Sequence, residues 1–231
     1  FYLLEKDDKV NYHGWFNRER GVRMELQFEW EHNQAQRNAI LLGTSPEFEF
    51  AAYTICALSG LDECTYIKYR ETVTLLVKTM KAASGVTVID YVYPSAGGVG
   101  PSPSGKTTKK PEPKVPADLQ KVVDEMRKAD VDRPVKYQLN WGNPRSGTSD
   151  TTDTPLYTYV DESIFETVPQ YKALVDMYDA EVFAPDVCIE ARPMTGFRKQ
   201  YILNVFNEFT NTTVWKLAFK FLQESGKATD W

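Results

Sequence analysis

An α+β fold, strand-rich in its first part and helix-rich in its second, is predicted by three observations. Residues 22–30 alternate apolar and polar, a period that suits a strand. Residues 43–58 combine a turn, a capping residue, a proline and an apolar stripe at helical spacing. Residues 117–231 carry several such stripes and lie beyond a stretch, 95–116, rich in Pro, Gly and Lys.

The elements follow in order. Residues 1–6 read as the end of an interrupted amphipathic element, and 7–20 as a polar, mixed segment containing His13, Gly14 and Trp15. In the next strand Val22, Met24, Leu26, Phe28 and Trp30 share one face, with Arg23, Glu25, Gln27 and Glu29 on the other, so the strand is expected to be half buried. A polar, hairpin-like patch at 31–38 leads to Ile40, Leu41 and Leu42, a short strand end stopped by Gly43. Either Thr44 or Ser45 then offers an oxygen to the free amides of a first helical turn. Pro46 is tolerated there because its missing N–H has no partner to lose, and Glu47 and Glu49 suit the positive end of the helix dipole. Thr44 with Glu47 also fits a capping box. Phe48, Ala51, Ala52, Ile55 and Leu58 form the buried stripe, and the small Ala51 and Ala52 allow close approach to a sheet.

Residues 66–69, 73–79 and 86–93 are rich in β-branched and aromatic side chains and read as an antiparallel meander. Nothing in 95–116 can build a core, so it reads as a linker whose lysines are solvated. After it, Leu119, Val122, Val123 and Met126 line a helix, residues 137–140 extend, and a Gly/Ser/Thr/Asp-rich loop covers 142–154. Short helices are expected at 161–167 and 169–178 and a longer one at 195–209. In the last helix Val214, Leu217, Ala218, Phe221 and Leu222 form the stripe, Asn211 or Thr212 caps it, and Gly226 lies just past its end. Asn211 also begins a glycosylation acceptor pattern, but the cap explains these residues as well. The two parts differ too much to be copies of one repeat.

Composition narrows the function. At 231 residues and 42 % hydrophobic content the chain has the means for real cores. A formal charge of -5 argues against a general nucleic-acid coat, so any RNA contact has to be local. Cys56, Cys64 and Cys188 lack metal-ligand spacing, and His13 and His32 are too few for a zinc site, so no metal ligands are assigned. The cysteines are free or buried thiols, or Cys56 and Cys64 are bridged; the spacing leaves both open. No stretch is long and apolar enough to span a membrane. The amino terminus does not give the compartment, and an extracellular or secreted location is favoured over a cytoplasmic one.

Two stretches carry a resemblance. The run Gly43-Thr44-Ser45-Pro46-Glu47-Phe48-Glu49-Phe50-Ala51-Ala52-Tyr53-Thr54, with Tyr93-Pro94 downstream, resembles the signature of the EndoU family, the XendoU-like, poly(U)-specific endoribonucleases. The run Pro155-Leu156-Tyr157-Thr158-Tyr159-Val160-Asp161-Glu162-Ser163 resembles the segment that opens the first half of an EndoU domain. The resemblance implies uridylate-preferring cleavage of single-stranded RNA to 2′,3′-cyclic phosphates by two histidines, a lysine and a tyrosine, often with manganese (Mn2+). It also implies an order: a helical first half, the two-histidine segment, then a strand-rich second half. Here the halves stand in the opposite order and the two-histidine segment is absent, as expected for a piece of a tandem protein. Residues 1–94 would be the second half of one domain, 95–116 a linker, and 117–231 the first half of another. A circular permutation is the less favoured explanation.

By the same resemblance the lysine position falls at Ala35, whose methyl group cannot offset phosphorane charge. The family's Gly-Thr becomes Asp90-Tyr91, while Tyr93 matches and is the candidate catalytic residue. Arg37, Thr44 and Ser45 are the candidate RNA contacts. The implied partner is single-stranded, U-containing RNA, with no DNA and no membrane. The intact parent is expected to be an endoribonuclease and the isolated chain inactive. The alternative is a binding or scaffold module that kept the fold and lost the chemistry. A further possibility is that the two halves dock on each other.

Overall fold

The computed structural model describes residues 1–19, 21–30, 33–82, 85–95, 115–145, 151–183 and 192–229, with the backbone alone at 33–37 and 87. After a short helix α1 (Tyr2–Lys6), strands β1 (Val10–Glu19), β2 (Arg23–Trp30) and β3 (Asn33–Leu41) form an antiparallel sheet in that order. Helix α2 (Pro46–Leu58) leads to a second antiparallel sheet, β4 (Glu63–Lys68), β5 (Glu71–Lys81) and β6 (Thr87–Ser95). The later part holds α3 (Ala117–Ala129), the paired strands β7 (Tyr137–Leu139) and β8 (Tyr157–Val160), α4 (Ile164–Thr167), α5 (Pro169–Asp179), α6 (Gly196–Thr210) and α7 (Thr213–Glu224). The class is α+β, as expected.

The local signals worked at the helix ends. Of the two candidate caps, Ser45 is the one used: the Phe48 N–H donates to its Oγ at 3.2 Å. Thr44 does not complete a capping box with Glu47; its hydroxyl donates instead to Glu49 at 2.8 Å. Thr212, not Asn211, caps α7 through the Trp215 N–H, and Gly226 follows its end at φ +69. Leu58, expected in the α2 stripe, is exposed, and Cys56 and Ala57 are buried instead.

Three expectations about the strands need correction. The polar segment at 7–20 contains β1, whose Val10 and Tyr12 are buried; register shifts between Tyr12 and Gly14 and between Trp15 and Asn17 break the alternation that would have revealed it. The polar patch at 31–38 is largely the start of β3. Strand β2 is not half buried: Arg23, Glu25 and Gln27 are 1 %, 2 % and 2 % exposed. Arg23 tolerates burial through an ion pair with Glu19 at 2.6 Å.

The parts on either side of 95–116 share one core. Phe48, Ala51, Ala52 and Ile55 of α2 lie on Val73, Leu75 and Val77 of β5 and join Leu119, Val122, Val123 and Met126 of α3 and Val214, Trp215, Ala218 and Leu222 of α7. The stripes read separately on α2, α3 and α7 thus close on each other, each Val, Leu, Ile, Phe or Met side chain contributing roughly 1.5–3 kcal/mol on burial. A second cluster joins Tyr12, Met24 and Leu26 of the first sheet to Leu42 and Leu156. The halves dock. Most of the linker, 96–114, lies outside the described residues.

Of the arrangements left open for the cysteines, the bridge is the one formed: Cys56 near the end of α2 is bonded to Cys64 in β4, with Cα atoms 5.6 Å apart. Cys188 lies outside the described residues.

Candidate functional site

The strand end and the head of α2 gather one set of buried polar groups, Thr44, Ser45 and Glu47. The sequence places Gly43 at φ +62, turning the chain from β3 toward α2, so that Thr44 and Ser45 arrive at the helix N-terminus. Ser45 is fully buried; besides capping α2, its N–H donates to Asp130 at 3.4 Å, tying the first part of the chain to the end of α3. Thr44 lines an open groove of about 640 Å³ at the seam of the two parts, together with Tyr53, Tyr137, Tyr157 and Tyr171. Glu49 faces the same groove, accepting from Thr44 and from the Tyr53 hydroxyl, each at 2.8 Å.

Below the groove lies an ionisable cluster that pattern reasoning missed. Lys68 is buried in β4 and donates to the Leu42 carbonyl at 2.5 Å. Burial lowers its pKa to about 8, against the opposing pull of Glu49 and Asp130. Burial also pushes Glu47 up to about 7, despite the Ser45 hydrogen bond, and drives Glu49 and Asp130 upward as well. Three carboxyl groups whose protonated forms burial favours thus lie with one ammonium under the head of α2, and Lys68 spends its charge inside the fold.

Tyr93 sits elsewhere. It pairs with Leu76 across the second sheet, is 44 % exposed, and is not among the residues lining the groove. Its strand β6 packs beside β3, which carries Arg37 and Ala35. Ala35 pairs with Phe28 through the backbone; the side chains of Arg37 and Ala35 lie outside what is described. The structure therefore joins Thr44 and Ser45 at one point and sets Tyr93 on a neighbouring strand face.

His13, read in a polar, mixed segment, is buried in β1, and its carbonyl accepts from Arg145 at 3.1 Å and Thr151 at 2.9 Å; His32 lies outside the described residues. Among the described residues no group of three or more His, Cys, Asp and Glu is placed to hold a metal ion.

Comparison with known proteins places this sequence in a family. The sequence model of the family Endoribonuclease XendoU matches residues 1–94 and 118–230. The chain is 35 % identical over 72 residues to the poly(U)-specific endoribonuclease of Xenopus tropicalis, covering 28 % of this chain and 25 % of that protein. It is 38 % identical over 67 residues to poly(U)-specific endoribonuclease-B of Xenopus laevis, covering 26 % and 23 %. It is 32 % identical over 75 residues to uridylate-specific endoribonuclease B of Danio rerio, covering 29 % and 27 %. These matches span about a quarter of the length of each relative. A solved structure, that of XendoU, described as a splicing independent snoRNA processing endoribonuclease, shares 29 % identity at a TM-score of 0.32, covering 40 % of this chain and 36 % of its own. With the family match covering both folded parts of the sequence, this chain belongs to the Endoribonuclease XendoU family.

Proposed function

We propose that this chain is the RNA-engaging part of a uridylate-specific endoribonuclease whose intact form cleaves single-stranded RNA and leaves 2′,3′-cyclic phosphate ends. The observation that carries this is the family match on both sides of the linker, which includes an exposed Tyr93 at the end of β6. The names of the curated relatives, poly(U)-specific and uridylate-specific endoribonucleases, support the base preference. RNA contacts are assigned to Tyr93, Arg37 and Thr44, with Ser45 holding the head of α2 in place.

Such a reaction begins when a base removes the 2′-hydroxyl proton and the oxygen attacks phosphorus. An acid then protonates the departing 5′-oxygen, and a cation offsets charge on the phosphorane. DNA, lacking the 2′-hydroxyl, is no substrate for this route. The sequence contains two histidines, of which His13 is buried in β1, and Ala35 stands at the lysine position. Lys68 does not replace that lysine, because its ammonium is buried against the Leu42 carbonyl. The 231-residue chain therefore binds RNA without turning it over. The Cys56–Cys64 bridge supports an extracellular or secreted location, where disulfides persist.

The second reading is a scaffold module, favoured by Ala35 and by the net charge of -5. Purified chain incubated with labelled U-rich and A-rich single-stranded RNA separates the two. Preferential binding of the U-rich strand without cleavage is expected. Cleavage of that strand, with contaminating nuclease excluded, would overturn the inactivity; no preference would favour the scaffold.

A further inference from the structure

Tyr91 and Tyr93 are two residues apart in β6 and so project from the same face of the sheet. Their ring centroids lie 5.4 Å apart with the planes inclined at 37°, and each residue is 44 % exposed. On the adjacent strand Lys78 is the register partner of Tyr91, and its ammonium stands 5.3 Å from the centre of that ring. Asp90 holds the ammonium at 3.1 Å, using one of its three donors.

We propose that Tyr91 and Lys78 form a second nucleotide subsite: the base next to the bound uridylate stacks on Tyr91 and its phosphate meets Lys78. This rests on the reading of Tyr93 as the uridylate contact. Paired aromatic rings beside a cation are what single-stranded nucleic acid uses, because every base has a π face and every linkage a charge. In a chain with a net charge of -5 a polyanion needs such a local cation, and Lys78 lies against the ring that would carry the base. Where the family pattern has threonine, this chain has the aromatic ring of Tyr91. The predicted footprint is therefore one nucleotide longer than Tyr93 alone provides.

The test uses the full 231-residue chain and fluorescence anisotropy with a labelled nine-nucleotide U-rich RNA. Tyr91→Thr is expected to weaken binding about tenfold, and Tyr91→Phe to restore it to within about twofold of the parent. Lys78→Gln should reduce the slope of log affinity against log salt by about 0.7, the loss of one phosphate contact on a single strand. Both Tyr91 variants should melt with the parent, since the ring stands on the surface. Binding that falls with Tyr93→Ala but not with Tyr91→Thr overturns this subsite alone. A parent chain that binds no RNA overturns the subsite and the functional reading together.

Discussion

Glu5 grips Leu156 across 151 positions of sequence: its Oε1 accepts the Leu156 N–H at 2.6 Å. The other carboxylate oxygen accepts the Tyr157 N–H at 3.0 Å, so the end of α1 satisfies the start of β8. Glu5 itself is buried, and burial raises its pKa against the pull of those two amides. Removing it leaves one buried and one partly buried donor without a partner. Glu5→Ala should therefore lower the unfolding free energy in urea by about 2–4 kcal/mol, at one or two kcal/mol for each donor stranded. Wild type should unfold in one transition by fluorescence and circular dichroism alike. Two separated transitions would show that the parts on either side of the linker do not share a cooperative core.

Glu47 makes stability depend on pH. Its pKa rises from the usual 4.5 to about 7 on folding, through burial first and the nearby Asp130 and Asp132 carboxylates after it. Between those values the folded chain keeps a proton that the unfolded chain has released. The stabilising effect of protonation is thus fully present below 4.5 and is lost as pH rises through 7. The loss is bounded at about 3 kcal/mol. Glu5, Glu49 and Asp130 shift in the same direction and add to the slope. Melting temperature measured from pH 4.5 to 8 should fall for wild type and fall less for Glu47→Gln; parallel profiles would exclude Glu47 as the titrating group.

The Cys56–Cys64 bridge closes a separation of 8 residues between the end of α2 and β4. A loop of that size removes roughly 2–3 kcal/mol of chain entropy from the unfolded state. Thermal melts with and without a thiol reductant should differ accordingly, and Cys56→Ser with Cys64→Ser should melt with the reduced chain. Unchanged melting on confirmed reduction would mean that the bridge constrains nothing the folded core does not already hold.

Where the instructions are local, they were legible. Pro46, the flanking acids and the apolar spacing identify α2 without reference to anything distant, and the same holds for the stripe of α3. Strand β1 was hidden because its two register irregularities destroy a period of two. Burial of Arg23, Glu25 and Gln27 was hidden for another reason: alternation says which residues share a face, but not whether that face is covered. Tyr93 is picked out as a candidate by its motif alone, whereas the pairing of Tyr91 with Lys78 depends on the register between β5 and β6. Lys68 was missed because its partner is the Leu42 carbonyl, and no side-chain pattern marks a carbonyl.

Gly14 is where β1 admits the later part of the chain. Its φ is +112, and a Cβ added there would stand 2.6 Å from the Asn143 carbonyl oxygen, 2.6 Å from Thr151 Oγ1 and 3.1 Å from Arg145 Cγ. These neighbours are held by the strand itself: the Arg145 N–H donates to the Trp15 carbonyl at 2.7 Å, and the Thr151 hydroxyl to the His13 carbonyl at 2.9 Å. Arg18, stacked between the Trp15 and Trp141 indoles at 4.6 and 5.2 Å, closes the same contact from the side. An alanine at 14 thus meets two penalties, a left-handed backbone of about 1–2 kcal/mol and the displacement of backbone and hydroxyl oxygens that have nowhere to go. Gly21 supplies the control, since it has φ +68 and nothing within 4 Å. Gly21→Ala should show the backbone penalty alone. Gly14→Ala should exceed it by roughly 1–3 kcal/mol, the worth of two or three lost hydrogen bonds, and should speed hydrogen exchange at the Arg145 amide. Equal losses at the two positions, with Arg145 still protected, would show that the later part does not close on β1 at Gly14.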